Sequence, residues 1–214
     1  KKIIDEKPLK KIFILSGKNS YFKTGAENIF KKLLVNNDHK IFLKKTKLPE
    51  FDELKRIILA LNEYNPDLII AVGGGCVMDL GKISSVLINS NDLRKDVIDS
   101  NLSDQKIELI AIPTTAGSGA EVTSNAVIYL DNIKYSVEGN LVRPDYFYLL
   151  PELLLSTHFY LDATACFDAI SQSVESLFSV KSNNESVMHA KEALIILLNN
   201  FKNFFQNKNI SNSY

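Results

Sequence analysis

Between Lys11 and about Leu150, short apolar runs alternate with amphipathic stretches. Lys11–Ser16 (KIFILS), Leu68–Val72 (LIIAV) and Ile107–Ile112 (IELIAI) are apolar almost throughout and predict buried strands, with His39–Leu43 as a further one. Ala26–Leu34 puts Ile29, Phe30, Leu33 and Leu34 on one helical face. Phe51–Glu63 turns Leu54, Ile57, Ile58 and Leu61 inward, and Asn65-Pro66-Asp67 stops that helix. Val77–Ile88 is helical by the same spacing. Strands with no polar face, separated by helices, predict an α/β fold with a parallel sheet covered on both sides. After about Arg143 the pattern changes. Tyr146–Leu150 is a last apolar run, and Pro151-Glu152 turns the chain. Thr164–Ser179 predicts an amphipathic helix with Phe167, Ile170, Val174, Leu177 and Phe178 as candidate core. Ser186–Phe205 predicts another, with Ala190, Ala193, Leu194, Leu197, Leu198 and Phe201. The expected organisation is an α/β domain over residues 1–153 and the beginning of a helical domain over 154–214.

Composition narrows the classes. The 214 residues, 45% of them hydrophobic, suffice for one good core and part of another. The balance of 25 basic against 25 acidic side chains argues against a nucleic-acid or anionic-membrane partner. Cys76 and Cys166 are too few for a disulfide framework and point to a reducing, cytoplasmic setting. No apolar run nears the roughly 20 residues of a membrane span, and Lys1, Lys2, Asp5 and Glu6 do not open a signal peptide. The absent initiator Met places the expected N-terminus upstream.

Two glycine-rich segments carry candidate chemistry. Gly73-Gly74-Gly75-Cys76-Val77-Met78-Asp79-Leu80-Gly81-Lys82 follows a buried strand and opens a helix. Absent Cβ atoms allow close approach of a ligand, and free N–H groups at a helix start attract phosphate. The competing reading is a tight turn that needs φ > 0. Pro113-Thr114-Thr115-Ala116-Gly117-Ser118-Gly119-Ala120-Glu121-Val122-Thr123 also leaves a buried strand, and its hydroxyls suit ribose, phosphate or an amide. Two such segments after two strands of one sheet favour a nucleotide site. Asp168 and Gln172, four apart on a predicted helix, share a face and offer two oxygens to a divalent cation; an exposed polar pair is the plain alternative.

GGGCVMDLGK followed by PTTAGSGAEVT resembles the signature pair of the iron-containing (group III) alcohol dehydrogenases. Arg143-Pro144-Asp145, Leu150-Pro151-Glu152 and the run Cys166-Phe167-Asp168-Ala169-Ile170-Ser171-Gln172 follow in that family's order. The resemblance implies a Rossmann-like dinucleotide-binding domain, then an all-helical metal-binding domain, and a homodimer or higher homo-oligomer. It implies NADP or NAD as cofactor, a divalent Fe²⁺ or Zn²⁺, and a small aldehyde or alcohol as substrate. Gly73, Gly74, Gly75 and Cys76 would cradle the pyrophosphate, Cys76 standing where the family usually has Ser, with Asp79 and Lys82 following in the motif. Thr114 and Thr115 would contact the nicotinamide half, Ser118 would also bind the cofactor, and Asp168 matches the first metal ligand.

Most relatives carry His where this chain has Gln172. Either Gln172 coordinates through its carbonyl, or the metal is held by Asp168, later histidines and water. His39, His158 and His189 match no ligand position, so two further histidines are expected beyond Tyr214 and the sequence reads as an N-terminal fragment. On its own it is expected to bind dinucleotide weakly, to hold no stoichiometric metal and to turn over no aldehyde. His158 is a general acid by residue type only. The D-A-x-x-Q-x-x-E-S helix is similar to a branch that reduces phosphonoacetaldehyde to hydroxyethylphosphonate. A nucleotide-binding relative without catalysis and an enzyme like glycerol dehydrogenase or dehydroquinate synthase are the alternatives. Gly17 stands where NAD-preferring relatives place a carboxylate, and Ser16, Lys18 and Asn19 offer hydrogen bonds, so acceptance of NADPH is expected.

Overall fold

The computed structural model describes residues 11–102, 105–155 and 159–211. The chain forms two compact units, residues 1–114 with 120–156, and residues 115–119 with 157–214. In the first, strand β1 (Lys11–Gly17) leads through helices α1 (Lys18–Phe22) and α2 (Ala26–Leu33) to β2 (Asp38–Lys44). Helix α3 (Phe51–Tyr64) returns to β3 (Leu68–Gly73), followed by α4 (Gly75–Val86), α5 (Leu93–Asp99) and β4 (Glu108–Pro113). A hairpin of β5 (Asn125–Leu130) and β6 (Ile133–Glu138) precedes the short strand β7 (Tyr146–Phe147). The five-stranded sheet runs β2-β1-β3-β4-β7 with every neighbouring pair parallel, which is the α/β arrangement that the apolar runs predict.

The alternation of side chains along each strand divides the core in two. Phe13, Leu15, Ile69, Ala71 and Leu109 face one side and pack on Leu54, Ile57 and Leu61 of α3 and on Val77, Leu80 and Ile83 of α4. Ile12, Ile14, Leu68, Ile70 and Ile112 face the other and meet Tyr21, Ala26, Phe30 and Leu34. Burying a side chain of this size stabilises the fold by roughly 1.5–3 kcal/mol, so strands apolar on both faces hold the sheet central. Helix α3 ends at Asn65, which takes the left-handed conformation (φ 50°), with Pro66 after it. Asp92 caps α5 by accepting the Lys95 N–H at 3.1 Å. The hairpin turns at Asp131 and Asn132, both at positive φ, as a two-residue hairpin loop requires.

The second unit holds α6 (Phe159–Phe178) and α7 (Asn184–Ser211), joined edge-to-face at Phe167 and Phe201, whose ring centroids lie 5.7 Å apart. Among the described residues of these helices only Ser173 and Ala190 are buried. Phe167, Val174, Phe178 and Leu198, expected as core, are exposed, because each helix has little but the other to pack against within this unit. No described helix is long and apolar enough to cross a membrane. Cys76 and Cys166 are both free thiols.

Candidate functional site

Strand order decides where the first unit can hold a ligand. From β1 the chain moves outward to β2, then crosses back to β3 on the other side of β1. The connections therefore leave the sheet in opposite directions between β1 and β3, and a crevice opens at their carboxyl ends. Gly17 ends β1 there and Gly73 ends β3. The Ser16 hydroxyl donates to the Val72 carbonyl at 2.6 Å and is fully buried. It fastens the two strands together and has no exposed surface to offer a phosphate, which corrects its expected role as a phosphate donor.

None of Gly73, Gly74 and Gly75 has positive φ, so the triplet is not a left-handed turn. Gly73 answers to proximity instead. A Cβ on Gly73 would fall 2.5 Å from Val77 Cγ2, and one on Gly17 would lie 3.9 Å from the same atom. Gly74 is the N-cap of α4, in extended conformation, and provides no side chain to cap the helix. Val77 and Met78 donate to the Gly74 carbonyl at 2.9 and 3.3 Å. The preceding N–H groups of Gly75 and Cys76 have no carbonyl within the helix to bind, and no acidic residue occupies the first turn. A half-buried helix start whose first amides have no partner carbonyl within the helix, at a switch point, is suited to an anion such as a pyrophosphate.

The side chains around this turn are electrostatically tuned. Burial pushes the Cys76 thiol up, against the opposing pull of the Lys44 ammonium, so it stays a neutral thiol near pH 7. Burial likewise pushes the Asp79 carboxyl up to about 6, while Lys82, the Val127 N–H and Lys134 act to lower it. Lys82 is fully buried and is brought down to about 8 by desolvation, with Asp79 and Glu121 holding it up. Asp79 thus binds the β5 backbone, a placement the motif alone does not disclose. Thr114, buried at the end of β4, donates its N–H to the Gly73 carbonyl at 2.9 Å, so the two glycine-rich segments begin side by side. Gly17, Gly73, Gly74, Gly75, Cys76, Asp79 and Thr114 all belong to this first unit.

Thr115 and Ser118 belong to the second unit with the helices. There Gly117 lies against the backbone of Ala165 on α6, three residues before Asp168. Asp168 and Gln172 are exposed on α6, and Gln172 Nε2 donates to Asp168 Oδ2 at 2.9 Å. Two oxygen donors one helical turn apart, the remaining Asp168 oxygen and the Gln172 carbonyl, suit part of a divalent-ion shell. Among the described residues no group of three His, Cys, Asp or Glu side chains completes one. His39 is on β2 beside the Asn37 carbonyl, His189 lies 3.7 Å from Glu192, and His158 is outside the described residues. No spacing in the sequence points to Lys44 and Lys134, whose charges reach Cys76 and Asp79, since only strand register and the hairpin bring them near the glycine turn.

Comparison with known proteins agrees with this geometry. The family model for iron-containing alcohol dehydrogenase matches residues 1–151. A phosphonoacetaldehyde reductase of Streptomyces viridochromogenes is 30% identical over 155 residues, 68% of this chain and 39% of the relative. Aldehyde-alcohol dehydrogenase 2 of Entamoeba histolytica is 28% identical over 211 residues, 91% of this chain and 24% of the relative. The crystal structure of an iron-containing alcohol dehydrogenase from Thermotoga maritima superposes with a TM-score of 0.86 at 29% identity, covering 95% of this chain and 57% of that one. The chain therefore spans well under half the length of these two curated relatives. A parallel sheet with its glycine turn at the switch point, and a family match across that whole sheet, place the chain in the iron-containing alcohol dehydrogenase family.

Proposed function

We propose that the protein is a metal-dependent, NAD(P)H-linked alcohol dehydrogenase that transfers hydride between nicotinamide and a small aldehyde. The observation that carries this reading is the partly open α4 N-terminus at the β1/β3 switch point, reached by a second glycine-rich segment from β4. In this reading residues 1–153 are the dinucleotide-binding domain and 154–214 belong to the helical metal domain. The first-turn amides of α4 at Gly75 and Cys76 bind the pyrophosphate, Gly17 leaves space beside it, and Thr114, Thr115 and Ser118 line the nicotinamide half. Asp79 orients the turn through the Val127 amide.

When bound, the nicotinamide supplies hydride and a divalent ion polarises the aldehyde oxygen. Asp168 and Gln172 are two of the donors that hold that ion. Gln172 coordinates through its amide oxygen, which an amide rotation turns outward from the hydrogen bond to Asp168. The absence of a carboxylate at Gly17, together with Lys44 at the end of β2, supports NADPH as the preferred dinucleotide. Gln172 within D-A-x-x-Q-x-x-E-S, together with the reductase relative, supports phosphonoacetaldehyde as a substrate.

Steady-state reduction by the purified, metal-loaded full-length protein tests the reading, with phosphonoacetaldehyde, acetaldehyde and longer aldehydes offered beside NADH and NADPH. Metal-dependent oxidation of the reduced dinucleotide by at least one aldehyde is expected. Tight dinucleotide binding without turnover of any aldehyde would favour the binding-relative alternative.

A further inference from the structure

Lys82 has no part in the chemistry just described, yet it is a lysine with no exposed surface in the middle of the helix that opens the site. Its Nζ donates to Thr123 Oγ1 at 2.8 Å and to the Asn125 carbonyl at 3.0 Å. Thr123 is the last residue of the second glycine-rich segment, and Lys82 the last of the first. One side chain therefore ties the ends of both motifs together, while the Thr114 N–H to Gly73 carbonyl bond ties their beginnings.

The chain on either side of residues 115–119 is thus anchored within the first unit, the outgoing stem at the end of β3 and the returning stem on α4. The outgoing stem is held at Gly73. The returning stem is held at Ala120, which packs on Met78 and Ala111, and then at Thr123 and Asn125 by Lys82. One turn before Lys82, Asp79 accepts from the Val127 amide, so α4 grips β5 at successive turns. Met or Leu would fill this space without the cost of desolvating an ammonium, so a buried lysine here is a poor device for stability alone. What an ammonium adds is direction. It holds two acceptors at fixed distances from the helix axis, which an apolar side chain does not do.

We propose that Lys82 is a positioning residue for the bound dinucleotide: it sets the Thr123–Asn125 stem, where the second glycine-rich segment ends, relative to the helix whose first turn takes the pyrophosphate. This rests on the dinucleotide reading of the glycine turn.

The test compares Lys82→Met, Thr123→Val and Thr123→Ser with wild type and with a surface control, Lys55→Met. Hydrogen–deuterium exchange over residues 120–130 is expected to quicken in Lys82→Met and Thr123→Val and to stay unchanged in Thr123→Ser and Lys55→Met. The KM for NADPH is expected to rise by about tenfold in the first two variants, with the KM for aldehyde unchanged and Tm within a few degrees of wild type. A purely structural lysine would lower Tm and leave the KM ratio alone, and that result overturns the proposal. Unchanged exchange in both Lys82→Met and Thr123→Val overturns it as well, whether or not dinucleotide binds. Wild-type protein that binds neither NADH nor NADPH overturns the dinucleotide reading itself, and the positioning role with it. Should Lys82→Met not fold, the Thr123→Val and Thr123→Ser pair decides the matter, because both keep the lysine.

Discussion

Gly117 lies so close to Ala165 that a Cβ on it would stand 2.4 Å from the Ala165 carbonyl oxygen and 2.9 Å from its carbonyl carbon and Cα. All three obstacles are backbone of helix α6, so no side-chain rotation relieves them. Gly117→Ala must lift the segment off the helix that carries Asp168, and a displacement of that kind costs activity on the order of 10²-fold. Gly119 has open space around it but sits at φ +61°. Gly119→Ala meets only conformational strain, about 1–2 kcal/mol, and is expected to lower Tm while sparing most of kcat. Steady-state kinetics and thermal melts of the two variants, side by side, separate crowding from strain. Equal losses of kcat would contradict the assignment.

Gly73 and Val77 make a second crowded pair, this time inside the glycine turn. An alanine at 73 would overlap both Val77 Cγ2 and Val77 Cβ, at 2.5 and 2.7 Å. The Cβ cannot swing away, so Gly73→Ala must push α4 from β3 and spoil the pyrophosphate amides. Shortening the opposing side chain removes much of the overlap. Gly73→Ala is expected to weaken dinucleotide binding at least tenfold, and Val77→Ala in the same protein to recover part of it, with a coupling of about 1–3 kcal/mol. Titration of the single and double variants with NADPH measures this directly, and strict additivity would rule the contact out.

The sheet was legible because its strands are apolar on both faces and need no partner to be recognised. Ile12 to Leu15 and Leu68 to Val72 are buried wherever they sit in such a fold. The hairpin was not, although Ala126, Ile128 and Leu130 alternate with more exposed neighbours and Asp131-Asn132 marks its turn. Its alternation spans only six residues per strand and follows directly on the second glycine-rich segment, so it does not stand out from the connection around it. Helices α1 and α5, of five and seven residues, are too short to establish a period. The glycine turn follows a strand and opens a helix, as its sequence predicts, but the cause of Gly73, room for Val77, depends on a distance that spacing does not reveal. The same holds for Ser16 and Lys82, whose partners Val72 and Thr123 lie 56 and 41 positions away in the chain, and for Lys44, which strand register sets beside Gly17.

The ionisation of Asp79 makes a stability prediction with a definite sign. Its ordinary value of 3.8 is raised to about 6 in the folded chain, chiefly by burial. The folded state therefore holds the proton more tightly than the unfolded one. That contribution is fully present below 3.8 and is lost as pH rises through about 6. Lys82 runs the opposite way. Its value falls from 10.5 to about 8, so its contribution is present above 10.5 and lost as pH falls through about 8. Both groups are charged and both costs are felt between about 6 and about 8. Asp79→Asn keeps an acceptor for the Val127 amide and removes the buried charge. It is expected to raise Tm by a few degrees at neutral pH and to flatten the fall in Tm between 3.8 and about 6. An unchanged Tm–pH profile would place Asp79 in a more solvated setting than its burial indicates.

Dinucleotide choice turns on the end of β2. Lys44 is paired in register with Gly17, and its ammonium acts on the Cys76 thiol across the crevice mouth. The nearby buried carboxylate, Glu53, is already occupied by both contacts of Arg56 at 2.9 Å and by the Lys45 N–H at 3.2 Å, so it does not repel a phosphate. Lys44 itself donates to the Thr46 and Lys47 carbonyls, which hold it in place. Lys44→Ala is expected to weaken NADPH by about tenfold and NADH far less, since one charge-assisted hydrogen bond of roughly 1.5–3 kcal/mol is removed. Parallel titrations with the two dinucleotides check it. A wild-type preference for NADH would refute both the preference and the role of Lys44.

The metal prediction rests on what Asp168 and Gln172 can and cannot offer. Their side chains already meet, Gln172 donating to Asp168 at 2.9 Å, so an ion on this face must take the Gln172 amide oxygen in place of that donor. A carboxylate brings charge to the site, whereas an amide oxygen is a neutral and weak donor toward Fe²⁺ or Zn²⁺. Removal of the charged ligand should therefore matter most. Asp168→Ala is expected to strip the bound ion and abolish aldehyde reduction. Gln172→Ala should lose less, because water can take the vacated position. Gln172→His keeps the one-turn spacing and replaces the amide with imidazole, so it should hold its ion through a chelator dialysis that empties the wild type. Elemental analysis after dialysis, paired with NADPH titration, reads the two sites separately, since dinucleotide affinity should be unchanged in all three variants. Full metal content and full activity in Asp168→Ala would remove α6 from the metal site.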